Sequence, residues 1–84
     1  MAFTLRVKPN AQKNIDKLPE QYRERALQIL GEIEANPFLG KKLHGKHEGE
    51  YSLRVWPYRI VYKIYKSELL ILVIEFGHRQ GVYK

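Results

Sequence analysis

The sequence predicts an α+β domain ordered β-α-α-β-β-β, in which an αα-hairpin covers one face of a mostly antiparallel four-stranded sheet and leaves the other face bare. Three observations carry this reading. The apolar residues repeat every second position at the start, shift to a helical period between residues 10 and 37, and return to alternation from residue 51 onward. Prolines stand at the boundaries between elements, at Pro9, Pro19, Pro37 and Pro57. The run Leu69 to Phe76 is almost unbroken in its apolarity, which suits a strand in the middle of a sheet with both faces covered.

Phe3, Leu5 and Val7 alternate with Thr4, Arg6 and Lys8, and Pro9-Asn10 ends that strand. With Asn10 as N-cap, Ala11, Ile15 and Leu18 fall at i, i+4 and i+7 and form the apolar stripe of a short helix that stops at Pro19. Pro19 also suits the first turn of a second helix, where its missing N–H would have had no partner. Tyr22, Ala26, Ile29, Leu30 and Ile33 share one face of that helix, which ends at Asn36-Pro37. Two helices joined this closely present one apolar face, and a sheet must cover it. Tyr51 to Val55 alternates, Trp56-Pro57 turns the chain, Tyr58 to Tyr65 alternates again, and Lys66-Ser67-Glu68 turns it into the last strand.

A chain of 84 residues without cysteine is read as one domain spanning 1–84, held together by packing rather than by disulfides or thiolate-bound metal. No apolar stretch approaches the length of a membrane span and the N-terminus has no long apolar core, so a cytoplasmic protein with no membrane partner is expected. The formal net charge is +6. Residues 1–42 carry 8 basic and 5 acidic side chains and residues 43–84 carry 7 and 4, so the charge belongs to the whole fold and not to a tail. Such a surplus attracts phosphate-rich or acidic partners.

Alternation also assigns faces. With Tyr51, Leu53 and Val55 under the helices, Ser52 and Arg54 point to the bare side; with Ile60, Tyr62 and Ile64 inward, Arg59 joins Arg54 there. Two guanidinium groups on one surface offer planar bidentate donors and keep their charge, which suits phosphate. Arginine on a surface strand also serves simply to deter aggregation. After the last strand, Gly77 and Gly81 bracket a polar cluster of His78, Arg79 and Tyr83. Histidine and tyrosine can both move protons, although singly each is more often a solvated or packing residue. Lys41, Lys42, His44, Lys46 and His47 form a basic loop before the sheet, suited to nucleic-acid phosphates or to plain solvation. His44, His47, Glu48 and His78 match no standard metal-ligand spacing, and no metal is expected.

Leu43-His44-Gly45, Gly49 to Val55, Tyr58-Arg59-Ile60-Val61-Tyr62, Gly77-His78-Arg79 and Val82-Tyr83 together resemble the RelE/ParE toxin superfamily of type II toxin–antitoxin systems. The resemblance covers essentially the whole chain, and its most specific part is the spacing of Arg54, Tyr58-Arg59, His78-Arg79 and Val82-Tyr83. In its RelE branch it implies a toxin that enters the ribosomal A site and cuts mRNA without metal or other cofactor, by attack of a 2′-OH on the adjacent phosphorus. It implies that Arg54, Arg59 and Arg79 hold the phosphate and that Tyr83 stacks on a nucleotide or takes part in proton transfer. That branch carries a lysine where Ser52 stands, and a serine cannot replace its amine. Arginine is a poor base, so the proton-transfer duty passes to His78 or Tyr83, with His78 better matched to neutral pH. The basic loop would then contact ribosomal RNA.

The resemblance leaves two other functions open. The ParE branch shares the fold and inhibits DNA gyrase without cutting RNA, and a catalytically weak chain could survive as an antitoxin-binding module. An acidic, partly disordered cognate antitoxin is expected in every case. No direct DNA recognition is expected, because the second helix carries Glu24, Glu32 and Glu34, which phosphate would repel.

Overall fold

The N-terminal alternation forms β1 (Thr4–Val7), and the chain then passes directly into α1 (Pro9–Asp16) and α2 (Glu20–Ala35). The computed structural model describes residues 2–78. The expected cap at Asn10 lies two residues too late: Lys8 is the N-cap and Pro9 takes the first helical position, where its fixed φ suits the helix and its absent N–H costs nothing. Asn10 is therefore helical, and the amide of Asn14, one turn further on, donates to the Phe76 carbonyl at 2.7 Å, fastening α1 to the last strand. Pro19 stands immediately before α2, and its carbonyl accepts from the backbone N–H groups of Tyr22 and Arg23.

Beyond α2 a short 3₁₀ turn, Pro37–Leu39, leads into β2 (Lys41–Lys42), a second 3₁₀ turn at Gly45–His47, and then β3 (Glu50–Val55), β4 (Tyr58–Tyr65) and β5 (Leu70–His78). The strands form one sheet in the order β1-β5-β4-β3-β2. β1 runs parallel to β5 and every other pairing is antiparallel. The sheet thus has five strands rather than four. The addition is β2, too short to show any alternation, which pairs Lys41 with Ser52 and Lys42 with Tyr51. β5 does lie inside the sheet, between β1 and β4, although only Ile71, Val73 and Phe76 are fully buried along it.

Ala11 and Ile15 of α1 and Ala26, Leu30 and Ile33 of α2 pack against Val55, Ile60, Tyr62, Ile71, Val73 and Phe76 of the sheet. Each large aliphatic residue buried this way contributes roughly 1.5–3 kcal/mol. β4 and β5 stay in register from Tyr65↔Leu70 to Tyr62↔Val73, after which the pairing shifts so that Val61 faces Glu75. Ile74 is the extra residue of this bulge. It lets Val73 and Phe76, three apart, both face the helices.

Tyr62 ties this core to the neighbouring turn. Its ring is wholly buried and stacks on Tyr51 at 5.6 Å, while its hydroxyl donates to the Pro37 carbonyl and accepts from the Gly40 N–H, both at 2.8 Å. Gly40 is required here by close approach. A Cβ at that position would lie 2.6 Å from the Tyr62 hydroxyl and 2.9 Å from the Ser52 carbonyl. Gly40→Ala is therefore expected to destabilise the protein by about 1–3 kcal/mol, the usual range for overpacking, read by chemical denaturation.

Burial raises the Tyr62 pKa above the ordinary phenol value, with the Gly40 N–H pulling the other way and Tyr51 adding a further upward push. In the unfolded chain the phenol ionises near pH 10.0, and in the folded protein it holds its proton to higher pH. Its contribution to stability is thus complete below about pH 10 and is lost as the pH rises through the folded value. Tyr62→Phe removes that alkaline decline and, by leaving the Pro37 and Gly40 groups without their partner, is expected to cost about 1–3 kcal/mol at neutral pH. Paired denaturation curves at pH 7 and pH 11 check both effects.

Candidate nucleic-acid interface

The hairpin β3–β4 turns through Trp56 and Pro57, and its register sets Arg54 directly opposite Arg59. Both lie on the face away from the helices, because their neighbours Leu53, Val55, Tyr58 and Ile60 all belong to the core side. The turn chemistry of Trp56-Pro57 therefore preserves the pairing that strand alternation implies. Residues so placed have Cβ atoms about 4.5–5.5 Å apart, and like charges at that spacing repel.

The same row continues toward the edge of the sheet. Ser52 shares the face of Arg54, and its partner across β2–β3 is Lys41. Leu39, Lys41, Ser52, Leu53, Arg54 and Arg59 line an open cleft of about 400 Å³. Ser52 is 7% exposed and its pair Val61 3%, so the cleft floor is short and well covered while the cations rise from its edges. Arg6 of β1 and Lys63 of β4 share this face by register; Glu50 and Glu75 are carboxylates on it. Sequence alternation alone did not find Lys41 as a cleft residue. The only signal was its position just before the predicted sheet, and a two-residue strand has no period to read.

The other members of the basic loop are dispersed. Lys42, opposite Tyr51, takes the helix side of the edge. His47 closes the loop onto β3 through a 3.2 Å contact between its Nδ1 and the Glu50 carboxylate. His44 and Lys46 are exposed on either side of Gly45.

His78 does not join the arginines. It pairs with Tyr58, and the two rings meet edge to face at 6.3 Å; Tyr58 itself stacks on Phe76 and meets Tyr22 of α2 edge to face. That is the helix side. The cause is the bulge at Ile74, which shifts the parity of every later residue of β5 relative to simple alternation. Arg79 and Tyr83 lie outside the described residues.

A small basic α+β protein, with helices on one face of its sheet and a cationic cleft on the other, is the class that this fold and site define. Residues 5–83 match the ParE toxins of type II toxin–antitoxin systems (parDE), and the chain belongs to that family, within the RelE/ParE superfamily. It is 26% identical over 86 residues to toxin RelG of Mycobacterium tuberculosis, covering 100% of this chain and 99% of that protein. The structure of the RelBE2 toxin–antitoxin complex of Mycobacterium tuberculosis superposes with a TM-score of 0.84 at 25% identity, covering 94% of this chain and 100% of the other. The isolated RelE toxin of E. coli gives a TM-score of 0.79 at 28% identity, covering 99% and 92%. Among the described residues no helix is long and apolar enough to cross a membrane.

The repulsion within the arginine pair has a measurable consequence. Arg54→Gln is expected to raise stability by about 0.2–1 kcal/mol at low ionic strength, with the gain shrinking as salt screens the pair. Thermal melts in low and high salt read the difference.

Proposed function

We infer that this toxin is an endoribonuclease that cleaves mRNA on the ribosome, using the 2′-OH of the substrate as nucleophile. The observation that carries the reading is the directly opposed pair Arg54 and Arg59. A fold accepts such repulsion at a cost, and a bound phosphodiester offsets it by placing negative charge between the two guanidinium groups. In the transition state the phosphorus gains a fifth oxygen and the charge on its equatorial oxygens grows. Fixed donors aimed at those oxygens then bind the transition state more tightly than the ground state.

In this reading Arg54 and Arg59 clamp the scissile phosphate, Arg79 supplies a third guanidinium, and Tyr83 stacks on a nucleotide or shares in proton transfer. His78, on the helix side by its pairing with Tyr58, is left out of the phosphate-contacting set. Lys42, His44, Lys46 and His47 engage ribosomal RNA phosphates from the edge of the sheet. Similarity to RelE and RelG, both toxins, supports assignment to this branch. The structural relatives solved as toxin–antitoxin complexes support a cognate antitoxin as the resting partner. An acidic chain laid across Lys41, Arg54 and Arg59 would neutralise the surface that RNA otherwise occupies.

Primer extension on translating ribosomes tests the reading. Discrete cuts within the A-site codon are expected with the wild-type chain, reduced by about 10²–10³-fold in Arg59→Ala, as for loss of one transition-state donor, and lost likewise in Arg79→Ala. Absence of cuts, combined with inhibition of supercoiling in a parallel DNA gyrase assay, would assign the basic face to protein binding instead.

A further inference from the structure

We propose that Lys41 is a catalytic residue, the proton donor to the leaving 5′-oxygen, and not one more cation of the docking loop. The proposal rests on the endoribonuclease reading and adds a group that the reaction needs and the arginine pair cannot supply. A guanidinium holds its protons at any working pH, so Arg54 and Arg59 stabilise charge without releasing a proton. The departing 5′-oxygen must be protonated as its bond to phosphorus breaks. Among the residues lining the cleft, Leu39 and Leu53 have no such group, and the Ser52 hydroxyl is a neutral, very weak acid. Among the described residues of that lining, the Lys41 ammonium is the side chain that carries a proton it can give up to the leaving oxygen.

Its placement fits the task. Lys41 stands opposite Ser52, which makes Arg54 its diagonal neighbour, at a spacing of about 7–8 Å that long side chains bridge. Arg54 in turn faces Arg59. One phosphate held between the guanidinium groups is therefore within reach of the Lys41 Nζ. The small Ser52 side chain leaves the lysine stem room to lie across the cleft floor. Ser52 offers no amine from β3; its cross-strand partner offers one from β2. Lys41 is exposed, so solvent can restore its proton after each turnover.

The 2′-oxygen bonds to phosphorus and gives up its proton to solvent; the bond from phosphorus to the 5′-oxygen breaks, and that oxygen takes a proton from Nζ. The products are a 2′,3′-cyclic phosphate and a 5′-OH, and the neutral amine regains a proton from water.

Single-turnover cleavage by the full chain on ribosomes programmed with a defined A-site codon tests this, using the natural mRNA and one with sulfur in place of the bridging 5′-oxygen at the cut site. A thiolate leaves without protonation. Lys41→Ala is expected to slow cleavage of the natural mRNA by about 10²–10⁴-fold and to cut the sulfur substrate at close to the wild-type rate. Lys41→Arg keeps the charge but has no releasable proton, so it is expected to be equally slow on the natural mRNA. Lys13→Ala, on the exposed side of α1, controls for loss of a positive charge. Three results overturn the proposal while leaving the endoribonuclease reading intact: wild-type rates for Lys41→Ala on natural mRNA, recovery by Lys41→Arg, or equal loss on both substrates. A wild-type chain that cuts neither substrate overturns the endoribonuclease reading and the role of Lys41 together.

Discussion

The hydroxyl of Tyr62 is the point on which the arrangement of the cleft depends. Its ring belongs to the core under the helices, yet its oxygen reaches the backbone of the turn at Pro37 and Gly40. A buried hydroxyl that both donates and accepts is fully satisfied, and so are the two backbone groups it serves. Because Gly40 immediately precedes β2, fixing its N–H also fixes where the edge strand begins. The position of Lys41 beside Ser52 is thus inherited from the core. Stacking of Tyr51 on Tyr62, and the edge-to-face contact of Phe38 with Tyr51 at 6.0 Å, extend the same anchoring along the turn.

The charge follows a related logic. Stability favours apolar residues on the helix side, whereas like charges set directly opposite one another, as Arg54 and Arg59 are, oppose folding through their mutual repulsion. They persist in a position where an anion would relieve them. Ser52 and Val61, both buried on that side, provide a rigid floor from which the cations project. The net charge of +6 is dispersed over both halves of the chain, but the register of β2, β3 and β4 gathers part of it at one place.

Much of this was legible in the sequence. The change of period located the helices, and alternation placed Tyr51, Leu53, Val55, Ile60 and Tyr62 inward and Arg54 and Arg59 outward, as the core shows. Three features were not legible, each for a physical reason. β2 is two lysines long, and its pairing depends on the distant Tyr62 anchor. The start of α1 was set by the fixed φ of Pro9 rather than by the capping side chain of Asn10. The face of His78 was decided by a bulge inside an apolar run, where Leu, Ile, Val and Phe give no sign that one residue is supernumerary.

That bulge acts as a parity switch for descent as well as for structure. If β5 paired without the bulge at unchanged length, Ile74 would face Val61 and residue 78 would cross the sheet, exchanging an aromatic neighbour for the company of arginines. A lineage could thereby gain or lose an imidazole in the cleft through a change of pairing within a strand, with no substitution at the position itself. Relatives of this toxin aligned without a gap in β5 can therefore present chemically different surfaces from matching letters.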